Sequence, residues 1–253
     1  MTHASLFSGI GGFDLAAEWV GWNNIFHCEW NPFGQRVLAH HFPNSKSYND
    51  ITKTNFSIHA GEIDVLTGGF PCQPYSSAGK RLGKADERHL FPEMLRAINE
   101  VKPTWVVGEN VLGIVNWGGG GVFKEVQVDL ENQGYEVQAY ILPACGKNAP
   151  HKRERTWFIA YSNSARLHKQ YIPTKSKEKI SHSGIFNEKR NFSSFPTQPP
   201  ICGGDDGIPK ELDSITFSKW RNQSIKGYGN AIVPQVAYEI FKAIQSFDDL
   251  VNV

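Results

Sequence analysis

The sequence predicts an α/β fold: a mainly parallel sheet with helices on both faces. Three observations carry this. Short apolar runs alternate with segments of helical periodicity through about residue 161. A glycine cluster joins the first such run to the first helical segment. The residues able to do chemistry fall just after apolar runs, and open α/β sheets bind ligands at the carboxyl ends of their strands.

The elements follow in order. "ASLF" reads as a strand and "FDLAAEWVG" as a helix with apolar residues at helical spacing. "NNIFHCEW" is a second strand. "NPFGQRVLAHHF" is a second helix, with Asn31 as its cap and Pro32 in its first position, where a missing N–H is harmless. "EIDVLTGGF" is β-like and ends in glycines. "HLFPEMLRAINEVK" is a helix, "PTWVVGEN" a strand, "VFKEVQVDLENQG" a helix, and "YEVQAYILP" and "RTWFIAYS" are strands. Beyond Tyr161 the chain turns polar, is broken by Pro and Gly, and loses its period. Residues 163–190 hold seven Lys or Arg against Glu178 and Glu188, which suits a solvated linker or a phosphate-facing surface. Helical pattern returns at "GYGNAIVPQVAYEIFKAIQSF", as an amphipathic helix starting near Pro234. The expected division is 1–161, 162–226 and 227–253.

Composition sets outer bounds. A chain of 253 residues has room for one substantial core, alone or with a small appendage. Net charge is +1, so any nucleic-acid surface must be local. Cys28, Cys72, Cys145 and Cys202 form no C-x-x-C, which removes support for zinc-ribbon and thioredoxin-like readings and fits reduced thiols in the cytoplasm. No signal peptide is expected from "MTHASLFSGIGG", and no apolar stretch approaches the ~20 residues of a membrane span.

In "LFSGIGGFD", Gly9, Gly11 and Gly12 allow a tight turn and close approach of backbone to a ligand. Glu29, 18 residues after Gly11, is placed to accept hydrogen bonds from ribose hydroxyls. Trp30 can pack on a purine or simply be buried. Asp50, ending the expected third strand, can reach an adenine amino group. Position 14 is Asp, not the last glycine of G-x-G-x-x-G, so a nucleoside ligand without a pyrophosphate is favoured over a dinucleotide. S-adenosylmethionine fits that description.

"GGFPCQPYSSAGK" holds Cys72 after the rigid Pro71, at the end of a β-like run. Such a cysteine is placed to attack a substrate, although a buried small hydrophobe is the commoner use of the residue. Glu109 follows the apolar "WVVG" and should emerge at the same sheet edge, where apolar surroundings raise a carboxyl pKa toward neutrality. Arg153 and Arg155, two apart in an extended segment, point the same way and can converge on one site or form a solvated loop.

Taken together, these stretches resemble the DNA cytosine-5 methyltransferase family of bacterial and phage type. "LFSGIGGFD" resembles its cofactor loop, "GGFPCQPYS" its catalytic loop, "GENV" its acidic motif, "HKRERTWF" its arginine motif and "GNAIVPQVA" its C-terminal motif, all in the family's order. The resemblance implies a Rossmann-like S-adenosylmethionine-dependent methyltransferase sheet with a small irregular target-recognition region. It implies that the Cys72 thiolate adds to carbon 6 of a flipped-out cytosine, that Glu109 contacts N3 and the exocyclic amine, and that carbon 5 takes the methyl group. Arg155 matches the residue on the base carbonyl, and Arg153 a neighbour supporting the catalytic loop. Cofactor positions implied are Phe7, Gly9, Ile10, Gly11, Glu29, Trp30, Asp50, Ile51, Pro71, Leu90, Asn230 and Ala231. Gln73, Ser76 and Asn110 are expected at the substrate, with Gly68, Gly69 and Gly79 as loop hinges and no metal.

Two features depart from the family pattern. Its first strand usually presents an acidic residue where this chain has Ser5. The interval 163–226, expected to recognise the target, is short; Phe192, Phe195 and Trp220 are expected to pack its core, and Arg221 and Asn222 to contact DNA or start a helix. The expected partner is double-stranded DNA, with a cognate restriction endonuclease possible in principle and a monomer as the working state. RNA, as in a tRNA-methylating branch, and a non-catalytic homologue are the competing readings. Retention of Cys72, Glu109 and Arg155 argues against the last.

Overall fold

The computed structural model describes residues 1–71, 90–147, 149, 152–168 and 217–251. Seven strands form one sheet: β1 (Thr2–Leu6), β2 (Asn23–Cys28), β3 (Lys46–Tyr48), β4 (Val65–Gly68), β5 (Trp105–Val111), β6 (Tyr135–Pro143) and β7 (Glu154–Ser162). Their order is β3-β2-β1-β4-β5-β7-β6. The first five run parallel; β7 pairs antiparallel with both β5 and β6. The α/β reading therefore holds, with a reversed strand inserted near one edge. Its cause is local: ten residues join β6 to β7, those described holding a 3₁₀ turn (Ala144–Lys147) and no crossover helix, and parallel neighbours need a long crossover.

Seven α-helices flank the described sheet: α1 (Gly12–Val20), α2 (Pro32–His41), α3 (Phe91–Val101), α4 (Gly121–Asn132), α5 (Asn163–His168), α6 (Phe217–Asn230) and α7 (Pro234–Val251). Strand alternation splits the core between the two faces. On one, Leu66, Val106 and Phe158 pack with Met94 and Ile98 of α3 and Leu130 of α4. On the other, Val65, Val107 and Trp157 pack with Phe13 and Ala17 of α1 and Ile240, Phe241 and Ile244 of α7. The α2 cap is as the sequence predicts: Asn31 Oδ1 accepts from Phe33 N at 2.8 Å, with Pro32 next to it.

Three expectations change. The boundary placed between 226 and 227 falls inside α6, a continuous helix. Trp220 is buried against Phe33 and Val37 of α2, so it docks α6 onto the sheet domain and does not serve a separate core. Gly68 is a paired strand residue, not a hinge; a Cβ there would lie 3.1 Å from Met94 Cε, so its smallness lets α3 approach β4. Among the described residues no helix is long and apolar enough to cross a membrane. Gly79, Phe192 and Phe195 lie outside the described residues.

Candidate active site

A cavity of about 200 Å³ opens at the carboxyl ends of β1, β2, β4 and β5, where the strand order reverses between β1 and β4. Phe7, Gly9 and Ile10 line it from the first turn, Glu29 from the end of β2, and Glu109 from β5. Asn230 and Ala231 line it from the far end of the chain, so residues more than 200 positions apart in sequence share one wall.

The turn after β1 is held by geometry that few residues tolerate. Phe7 has φ 53° and Gly9 φ 59°, both left-handed; in an aromatic residue such backbone is strained and typical of ligand sites. Both Glu29 oxygens brace this turn: Oε2 accepts from Gly9 N and Oε1 from Asn31 N, each at 2.7 Å. Burial raises the Glu29 pKa, and these two N–H donors oppose the rise. Gly34, in the first turns of α2, allows the close approach. A Cβ there would sit 2.5 Å from the Gly9 carbonyl oxygen, a backbone atom with no room to yield. Gly34→Ala is expected to lower stability by about 1–3 kcal/mol, read as a lower urea midpoint at unchanged slope.

Beneath the turn lies a buried polar chain around Ser5. Cys28 N donates to Ser8 Oγ (3.2 Å), Ser8 Oγ meets Ser5 Oγ (2.6 Å), and Ser5 Oγ donates to the Asp14 carboxylate (2.9 and 3.0 Å). Asp14 of α1 thus sets a buried carboxyl group against Ser5, behind the cavity lining. Asp14 is wholly buried, and burial lifts its pKa from 3.8 to about 7 against the lowering effect of Ser5. A raised carboxyl pKa means stability that is full below 3.8 and lost as pH climbs to about 7. Asp14→Asn removes this dependence, so the variant should gain on the wild type by about 4 kcal/mol across that interval in paired denaturant melts.

Glu109 and the arginines meet at the same edge. Glu109 is buried, and Arg155 Nε lies 3.0 Å from its Oε1. Burial raises the Glu109 pKa to about 7, with Arg155 and then Arg153 holding it from rising further. Gly69 leaves the second carboxylate oxygen open: a Cβ on it would come within 3.4 Å of Oε2. Because β7 is reversed, its first residues reach the rim where β5 ends, and Arg155 pairs with Val111 in register. Arg153, at φ 35°, sends Nη2 to the carbonyl oxygens of Gly229 (3.0 Å) and Ala231.

The other expected residues sit around this centre, outside the cavity lining. Gly11 (φ 85°) shapes the turn and faces Leu38 of α2 and Phe42, the residue that caps it. Trp30 is 71% exposed, which leaves its face open. Asp50 lies two residues past β3 and caps its own turn, with Thr52 Oγ1 donating to it at 2.7 Å. Ile51 is buried in the core beside it, and its carbonyl accepts from Arg96 Nη2. Leu90 is the N-cap of α3, and Pro71 ends the described stretch. Asn110 is buried on the opposite face of β5 from Glu109; its amide donates to the Phe70 carbonyl at 3.1 Å, anchoring the segment that leads to Cys72. Cys72, Gln73 and Ser76 lie outside the described residues.

Sequence reasoning missed Gly34, Asp14 and the part played by α6. Gln223, Lys226, Gly227 and Asn230 all line the cavity. They stand at i, i+3, i+4 and i+7, the single face of a helix, a spacing that reads out only once 217–230 is treated as helical. Gly12 lines the cavity too: a Cβ there would meet Ile232 Cγ1 at 2.7 Å. The residues present fit a nucleoside-bearing ligand without a pyrophosphate: a strained backbone turn, a braced carboxylate and no phosphate-binding glycine at position 14. Among the described residues no His, Cys, Asp and Glu cluster is arranged to hold a metal.

Comparison with known proteins agrees with this geometry. The family of C-5 cytosine-specific DNA methylases matches residues 1–199. The Type II methyltransferase M.PspPI of Psychrobacter sp. is 39% identical over 157 residues, covering 61% of this chain and 38% of that protein. The Type II methyltransferase M.MspI of Moraxella sp. is 35% identical over 217 residues, covering 83% and 51%. The chain spans about half the length, or less, of these curated relatives. In fold, it is similar to the Entamoeba histolytica methyltransferase EhMeth, with TM-score 0.65 and 16% identity over 99% of this chain and 98% of that one. Ordered motifs, sheet topology and family match converge: the chain belongs to the C-5 cytosine-specific DNA methylase family.

Proposed function

We propose that this protein methylates carbon 5 of a flipped-out cytosine in double-stranded DNA, using S-adenosylmethionine. One observation carries the reading: a buried carboxyl with pKa near 7, ion-paired to Arg155, lines the same cavity as the glycine turn. The two halves of a methyl transfer, an acid for the base and a pocket for the donor, thereby share one space.

Carbon 5 of cytosine is a weak nucleophile. The Cys72 thiolate forms a bond to carbon 6, and the displaced π electrons enrich carbon 5. Glu109 holds a proton toward N3, so the charge arriving on the ring is neutralised as the Sγ–C6 bond forms. Arg155 keeps that carboxyl oriented and reaches toward the base carbonyl. Bound in the cavity, S-adenosylmethionine would supply an electrophilic methyl group. Loss of the carbon 5 proton to a base then returns electrons to carbon 6 and expels the thiolate. Glu29 holds the ribose hydroxyls, Asp50 and Trp30 the adenine, and Asn230 and Ala231 close the wall. The segment between α5 and α6, basic in its first part, reads the target. The protein acts as a monomer in the cytoplasm of a bacterium or phage-infected cell, beside a restriction endonuclease where one is encoded.

Bisulfite sequencing of DNA from cells expressing the protein tests this, with a parallel assay on tRNA. Protected cytosines in one short sequence context are expected. Methylation of tRNA with none of DNA, or of neither, would overturn the assignment.

A further inference from the structure

The two arginines of "RER" do different jobs. Arg155 serves Glu109 through its ion pair. The Arg153 side chain turns the other way, to the backbone of the segment joining α6 to α7. We infer that Arg153 is a positioning residue for the methyl-donor pocket: its guanidinium clasps the Gly229 and Ala231 carbonyls and so holds Asn230–Ile232 as the cavity wall. The inference rests on reading this cavity as the donor pocket.

Several features support it. Both acceptors are carbonyls near the carboxyl end of α6, which lack partners in a helix and favour a cation. The bonds bridge 76 and 78 positions in sequence, so they fix a contact that local structure does not. Between the two acceptors, Asn230 lines the cavity, and so do Ala231 and Ile232. Ile232 is also pressed by the glycine turn, where even a methyl on Gly12 would approach it to 2.7 Å. The segment is therefore gripped between the turn on one side and Arg153 on the other. Arg153 holds this pose at φ 35°, a strained backbone for a residue with a side chain. Burial and the neighbouring Arg155 charge lower its pKa, and the two carbonyls compensate the buried cation.

The test separates wall from chemistry. S-adenosylhomocysteine affinity is measured by calorimetry for the full-length wild type, Arg153→Lys and Arg153→Gln, beside unliganded melting temperature and turnover at saturating S-adenosylmethionine. Two charge-assisted bonds are lost in Arg153→Gln, so its Kd should rise by roughly 10- to 100-fold. Arg153→Lys, whose single ammonium still reaches a carbonyl, should fall between, at about threefold. Arg153→Gln also removes a positive charge that holds down the Glu109 pKa, so its turnover is expected to change as well; the inference is read from Kd, with Arg153→Lys keeping the charge. Unchanged affinity with lost turnover would assign Arg153 to the base or the catalytic loop and overturn the inference. If Arg153→Gln does not fold, the Lys variant decides: a weakened Kd supports the clasp and wild-type affinity overturns it. Failure of the wild type itself to bind S-adenosylhomocysteine would instead sink the donor-pocket reading.

Discussion

Replacing Cys72 with alanine is expected to abolish methyl transfer while S-adenosylhomocysteine still binds. The alanine cannot form the bond to carbon 6, and without that bond carbon 5 has no enamine character. The loss should be roughly 10⁴-fold or more in kcat, the scale on which a covalent nucleophile contributes. Binding should persist because the described cavity wall is built from the first turn, β2, β5 and α6. A duplex carrying 5-fluorocytosine should trap the wild type covalently at position 72 and leave the alanine variant free on a denaturing gel. Equal turnover by that variant, or trapping at another residue, would refute the assigned nucleophile.

Glu109→Gln is expected to lower kcat/KM by roughly 10²- to 10⁴-fold, because an amide keeps the shape and cannot give up a proton to N3. In the wild type the carboxyl carries its proton below about pH 7 and loses it above. The rate should therefore fall on the alkaline side of about 7, and that falling limb should be missing from the residual activity of the variant. Stability moves with the same group. Its pKa is raised from 4.5 to about 7 by burial, so its contribution is full below 4.5 and is lost as pH climbs to about 7. The Gln variant has no such loss. Across that interval it should gain on the wild type by about 3 kcal/mol in paired urea melts, whatever constant offset the unpaired Arg155 adds. A pH-independent difference between the two would mean the carboxyl is not held protonated.

What the sequence made legible was local. The Asn31–Pro32 cap is a matter of adjacent residues, and it appears as read. The emergence of Glu109 at the ligand edge follows from a short continuous apolar run, buried on both faces, that ends there. Contacts that depend on two distant segments were not legible. Gly34 looks like a poor helix residue until the Gly9 carbonyl is placed 2.5 Å from its missing Cβ. Asp14 reads as a missing glycine, and only the three-dimensional neighbourhood shows it buried and hydrogen-bonded to Ser5 of β1. In α6, "KGYGN" carries glycines that mask a helical period, and the helix persists because Trp220 and Tyr228 pack against α2 and the first turn.

The position of α7 has a bearing on how the chain reaches this shape. Val236, Ala237, Ile240, Phe241 and Ile244 complete the apolar layer that also contains Phe13, Val65, Val107 and Trp157. Those partners leave the ribosome long before residues 234–251 are made. Until then one side of the nascent sheet is greasy and uncovered, the condition in which chains stick to one another or to chaperones. Trp22, stacked on Phe241 at 4.7 Å and hydrogen-bonded to Gln245, marks where α7 lands on the first β–α–β unit. Folding of this sheet thus waits on α7, and truncation before residue 234 should yield insoluble protein, not a weakened enzyme.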